Sequence, residues 1–283
     1  MKFSNLKYAF LLAFATFLTL SLSAQKFYVG VQGGYSYATN SGQLGLINTE
    51  GSDNTTKIEM VKGGLGQGFN TALTFGYSLS DVLAIELGAN YVFNSSEVTD
   101  NYNSEFSSGN STSVIAAQMV QVAPKVVFNL NSASKFNPYL KVGATLGIGK
   151  ITSTSESTDI SNFGSQTFES LSESELEVTG GLAFGFNAGI GGNYAINDRI
   201  SIFSELSLLS MSYAPNKTEL TKYEIDGNDL LSDFSTSEKE TVFVDEIEYN
   251  FNSPQNENEP VEQLKIYLPF NNISLNIGLK ISL

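Results

Sequence analysis

Apolar residues recur at every second position in eight segments of this chain, and that period makes strands the elements that present its apolar face. Phe27, Val29, Val31, Tyr35 and Tyr37 alternate with Tyr28, Gly30, Gln32, Gly34 and Ser36. The second segment runs from Phe69 to Leu79, the third from Leu83 to Phe93, the fourth from Val120 to Phe128 and the fifth from Leu140 to Ile148. The sixth runs from Val178 to Tyr194, and the eighth from Ile273 to Leu283. The seventh is less regular, with Ile200, Ile202, Leu206 and Leu208 on one side and Phe203, Glu205 and Ser207 on the other. The opposing positions are mostly Gly, Ala, Ser, Thr and Asn.

Connections alternate as strictly as faces. Ser80-Asp81, Asn131 to Phe136 and Ile196 to Asp198 read as tight turns, whereas 38–66, 95–113, 152–177 and 214–263 read as long polar loops. The Ser/Thr-rich stretch from Thr152 to Val178 shows no period and reads as mobile. Short turns at one end and long loops at the other are the pattern of a transmembrane barrel, with the short ones periplasmic. The expected fold is therefore all-β: a transmembrane up-and-down antiparallel β-barrel of eight strands, both termini periplasmic, in a bacterial outer membrane. Weak alternation from Thr241 to Phe251 leaves ten strands as the alternative. A soluble lipocalin-like barrel shares the period, but its water-facing side should be rich in Lys and Glu, which this polar face is not.

Lys2 and Lys7 precede an apolar run from Tyr8 to Leu20, followed by Ser21-Leu22-Ser23-Ala24. This is the layout of a secretory signal, with cleavage expected after Ala24 or Ser23. Residues 1–24 are thus read as signal peptide and 25–283 as one barrel domain. With no Cys and no His, thiol chemistry, a Ser-His triad and an ordinary zinc centre are all excluded. The expectation is a non-enzymatic protein without cofactor. A net charge of −14 argues against nucleic acid as a partner.

Gln121-Val122-Ala123-Pro124-Lys125, Asn137-Pro138-Tyr139-Leu140-Lys141-Val142-Gly143 and Pro269-Phe270-Asn271-Asn272-Ile273 carry a further signal. On these the mature chain resembles the outer membrane protein β-barrel domain family of small Gram-negative barrels, including its PorT-like group. The resemblance implies architecture, insertion by the barrel assembly machinery and, for the PorT-like group, an accessory role in secretion. Such barrels usually end on an aromatic residue, and this sequence departs from that with Leu283 as its last residue.

Parity sends Glu86, Lys125, Lys141 and Glu205 to the inner face. Each lies some four to six residues from its short turn, at about 3.3 Å per residue, so they should form one layer of ion pairs plugging the lumen. The open alternative is a narrow path for ions or small solutes. Of 29 acidic residues, all but Asp81, Glu86, Asp198 and Glu205 fall in the four long segments. Such an acidic end suits a soluble cap, a protein partner, adhesion, or cations bridging to outer-membrane lipids and lipopolysaccharide. Asp226, Asn228, Asp229 and Asp233 form a weak calcium candidate that lacks the EF-hand order. Gly63 to Gly68 resembles a phosphate loop only superficially, because a strand follows it and not a helix.

Overall fold

A computed structural model describes residues 27–39, 42–50, 56–103, 107–130, 134–163, 166–248 and 256–283; the expected signal peptide, 1–24, lies outside them. Strands β1 (Phe27–Ala38), β2 (Gly42–Glu50), β3 (Thr56–Gly63), β4 (Gly68–Ser78), β5 (Leu83–Asn103) and β6 (Ser107–Asn129) make the first half. They are followed by β7 (Phe136–Phe163), β8 (Gln166–Thr179), β9 (Leu182–Ala195), β10 (Ile200–Ala214) and β11 (Lys217–Ile225). The last are β12 (Asn228–Asp229), β13 (Glu240–Val244), β14 (Val261–Leu264), β15 (Leu268–Pro269) and β16 (Asn272–Ser282).

Eight of these close into a ring, each antiparallel to both neighbours, in the order β1, β4, β5, β6, β7, β9, β10, β16 and back to β1. The first and last strands form the closing seam, from Tyr28 opposite Ser282 to Ala38 opposite Asn272. Outward positions are apolar and exposed, among them Val31, Leu73, Leu87, Val122, Leu146, Phe184, Leu206 and Ile277. That face suits lipid and not water, and closure leaves no unpaired strand edge in the ring.

The eight-strand reading holds, and the ten-strand alternative does not. β13, within the segment that suggested extra strands, pairs with β11 and β14, outside the ring. Residues 249–251 of that segment lie outside the described residues.

The long segments correct the sequence expectation more deeply. The stretch 152–178, expected as a mobile loop, is a β-hairpin: Ile151 pairs with Val178 and the ladder continues to Phe163 opposite Gln166. β5 and β6 likewise run on to Asn103 opposite Ser108, β2 and β3 form a hairpin within 38–66, and β11 extends the wall beyond β10. Beyond the ring both faces meet water, so apolar alternation disappears while Ser and Thr still accept extended backbone. Loss of period was therefore loss of a buried face, not of the strand.

At the short-turn end, Ser80 Oγ accepts the Val82 and Leu83 N–H groups, and Asn197 Oδ1 accepts those of Arg199 and Ile200. At the other end, β7 pairs with β9 up to Gly147 and with β8 from Ile151, the register slipping by one residue at Gly180-Gly181. Both glycines have positive φ, 75° and 70°. Tyr213, fully buried, holds this junction: its hydroxyl proton is shared between the carbonyls of Gly149 at 2.9 Å and Gly180 at 2.7 Å.

A Cβ at Gly181 would lie 1.8 Å from the Ala214 carbonyl oxygen, whereas one at Gly227, also at positive φ, would meet nothing within 4 Å. Gly227→Ala should cost only backbone strain, about 1–2 kcal/mol, and leave the heat-modifiable shift of the folded barrel on cold gels intact. Gly181→Ala should reduce the folded fraction in the same assay. Equal behaviour of the two variants would contradict the assigned junction.

Candidate functional site

Inside the ring the side chains are arranged by which neighbours are glycine. Tyr28 lies over Gly76, Tyr139 over Gly191 and Phe203 over Gly278; a Cβ at these glycines would come within 2.1, 2.5 and 2.4 Å of the respective rings. Gly189 leaves similar room for the Glu205 carboxylate, and Gly143 for the stem of Lys125. In so small a barrel, these gaps allow long side chains to lie across the lumen.

Lys141 reaches into the centre. Its Nζ lies 2.9 Å from Glu86 Oε2 and 3.0 Å from Glu205 Oε2, with all three side chains nearly fully buried. The Tyr28 hydroxyl donates to Glu86 Oε1 at 2.9 Å, and the Tyr139 hydroxyl to Glu205 Oε2 at 3.0 Å. Glu86 Oε2 has the ammonium as its ionic neighbour but no aligned hydrogen-bond donor. Lys280 stacks its ammonium over the Tyr28 ring, 3.6 Å from the centroid, and Lys141 lies 4.8 Å from that of Tyr139.

Of the four residues expected in one layer, Glu86, Lys141 and Glu205 converge. Lys125 does not join them, although it sits directly across the strand pair from Glu86. Among the described residues it has no carboxylate within ion-pair distance and no hydrogen bond. Sequence reasoning missed Tyr28, Tyr139 and Lys280. Their inward parity was legible; what was not is that glycines on neighbouring strands let the two rings lie across to the carboxylates.

This layer divides the interior. On the short-turn side a cavity of about 10 Å³ is lined by Tyr28, Phe203, Lys280 and neighbours. On the other side lies a chamber of about 60 Å³, lined by amides and hydroxyls including Asn70, Asn90, Gln121, Asn276 and Ser274, together with Lys125 and the Glu205 carboxylate. Lys141 borders both. A water needs roughly 10–15 Å³ on this measure, so the first space holds at most one and the second a few.

At the extended end an apolar cluster occupies the inner face: Ala117, Met119, Ile151, Ala183, Met211, Tyr213 and Phe270, with Leu65 and Leu268 packed on it. Phe270 meets Tyr213 edge-on, centroids 6.0 Å apart. Its N–H donates to the Met211 carbonyl, and Asn271 Oδ1 accepts the Met211 N–H. The Pro269-Phe270-Asn271 motif is thus the segment that tucks an aromatic ring into the barrel mouth.

The calcium candidate does not assemble. Asp226 and Gly227 are the positive-φ tip of the β11–β12 hairpin, and Asp226 Oδ1 accepts the Leu171 N–H. Asp229 Oδ1 accepts the Leu231 N–H, and Asp233 Oδ1 faces the Ser232 hydroxyl. Among the described residues no three such ligands gather for a metal. The acidic pattern there builds a turn instead, the usual role of Asp-Gly in a hairpin.

The sequence profile of the outer membrane protein beta-barrel domain family matches residues 10–202. No curated protein matches the chain. Among solved structures, it is similar to OprG from Pseudomonas aeruginosa at 10% identity and TM-score 0.42, covering 91% of this chain and 95% of that one. It is also similar to Neisserial surface protein A at 12% identity and TM-score 0.32, covering 92% and 98%. CarO from Acinetobacter baumannii follows at 13% identity and TM-score 0.31, covering 89% and 97%.

Removing the central cation leaves two buried carboxylates facing each other. Lys141→Met should therefore destabilise the barrel by about 3–5 kcal/mol in urea unfolding from detergent or lipid. The triple variant Glu86→Gln, Lys141→Met, Glu205→Gln should cost much less than that single change. A triple variant no more stable than Lys141→Met would show that the three do not act as one unit.

Proposed function

Since this chain belongs to the outer membrane protein β-barrel domain family, we propose that it is a non-enzymatic barrel with a blocked lumen, acting through the sheet raised beyond the ring. The observation that carries this reading is Lys141 held between Glu86 and Glu205, with only about 10 Å³ free on one side and about 60 Å³ on the other. A solute crossing the barrel has to break those ion pairs and then part the Phe270 cluster. Both steps expose groups that the closed state satisfies.

In this reading the extended end faces the outside and both termini face the periplasm. The outward face of the raised sheet carries Glu156, Glu173, Glu175, Glu177, Glu219 and Glu224 on neighbouring strands. Lys222 bridges Glu173 and Glu224, Lys150 meets Glu177 and Lys217 meets Glu219, so lysines hold the ladder without neutralising it. The remaining negative field favours a basic partner, or cations shared with lipopolysaccharide headgroups at the foot of the sheet. A structural, adhesive or secretion-accessory role all use this surface and none needs the lumen.

The narrow-channel reading places the work in the lumen instead, and conductance separates the two. Purified full-length protein in planar bilayers should give no steady current, and Lys141→Ala or Phe270→Ala should introduce leak. Large steady conductance of the unmutated barrel, indifferent to both substitutions, would overturn the blocked-lumen reading.

A further inference from the structure

The charges inside the ring do not balance. Glu86 and Glu205 supply two carboxylates, while Lys125, Lys141 and Lys280 supply three ammonium groups on inward positions of the same barrel. Lys141 makes the direct ion pairs with both carboxylates, a trio that keeps one negative charge, and Lys280 lies over the Tyr28 ring. Lys125 is left. Its stem lies over Gly143 and it lines the chamber of about 60 Å³. Three ammonium groups against two carboxylates leave the lumen one positive charge in excess, and a charge held away from bulk water is expensive to leave unbalanced, so the set calls for an anion that the protein does not provide.

We propose that the chamber binds one small monovalent inorganic anion, of halide size, beside Lys125. Its lining specifies the class. Space for only a few waters excludes an organic carboxylate or a phosphate ester. An excess of one positive charge matches a monovalent ion and would be overshot by a divalent one. Asn90 and Gln121, opposite one another on β5 and β6, place amide groups on the same wall as further donors. Asn276 Oδ1, buried at the chamber with no donor of its own, calls for a water alongside the ion. The polar lining thus completes the anion's shell, while the Lys141 layer below and the apolar cluster above slow its exchange.

Refolding the full-length barrel in sodium bromide and locating the ion by anomalous diffraction tests this directly. A bromide peak in the chamber beside Lys125, absent from Lys125→Met prepared identically, is the expected result. In solution, the unfolding midpoint should be higher in chloride than in gluconate at equal ionic strength, and the difference should vanish in the variant. Bromide found only on the outer surface, or a chamber peak that persists in Lys125→Met, would overturn the proposal. If the variant fails to fold, an empty chamber in the unmutated protein still does so. The outcome is independent of conductance: a conducting barrel with bromide at Lys125 keeps this site and sinks the blocked-lumen reading.

Discussion

Within a bilayer every backbone N–H and C=O has to be satisfied by the protein itself, and this chain meets that demand by closing β1 on β16. Everything else in the barrel inherits from that closure. It fixes which parity faces lipid, because a slip of one residue would turn Val29 and Val31 inward and send Tyr28 and Ser36 outward. It also fixes height, so that residues far apart in sequence, Glu86, Lys141 and Glu205, arrive at one level.

Once that level is set, small residues decide what can happen there. A ring of eight strands has room only for side chains, and long ones fit only where a neighbour has none. Gly76 and Gly191 admit the rings of Tyr28 and Tyr139, which deliver hydroxyls to the two carboxylates. The buried cation is then surrounded by carboxylate oxygens and aromatic faces. Such a network stabilises only when complete, and Lys125, one strand away, feels the same two carboxylates without a direct ion pair to either.

Much of this was legible in the sequence. Period-two alternation located all eight ring strands, and the Ser80-Asp81 and Ile196–Asp198 turns set their polarity. The raised sheet was not legible, because the strand signal is really a signal of one-sided burial. Thr152 to Val178 has water on both sides, so a ladder looked like a loop. Parity placed Glu86, Lys125, Lys141 and Glu205 inside, yet it could not say which would touch. That depends on reach across the lumen: Lys125 stands opposite Glu86 in register, but Lys141, one strand further along, is the residue that meets it. Asp226-Gly227 misled in another way, since the residues that suit a calcium loop also suit a tight hairpin turn.

The seam register is the claim on which the rest stands, and a chain without cysteine offers a clean test of it. Val31 pairs with Leu279 across β1 and β16, both facing lipid. Directly opposed residues bring their Cβ atoms to about 4.5–5.5 Å, close to what a disulfide needs, whereas the diagonal neighbour is about 7–8 Å away. Val31→Cys with Leu279→Cys should therefore oxidise to an intramolecular disulfide in the folded barrel, detected as a thiol-sensitive gel shift, while Val31→Cys with Ile277→Cys should stay reduced. Efficient crosslinking of the second pair and not the first would contradict the closure described here, and with it the level at which Lys141 meets its two carboxylates.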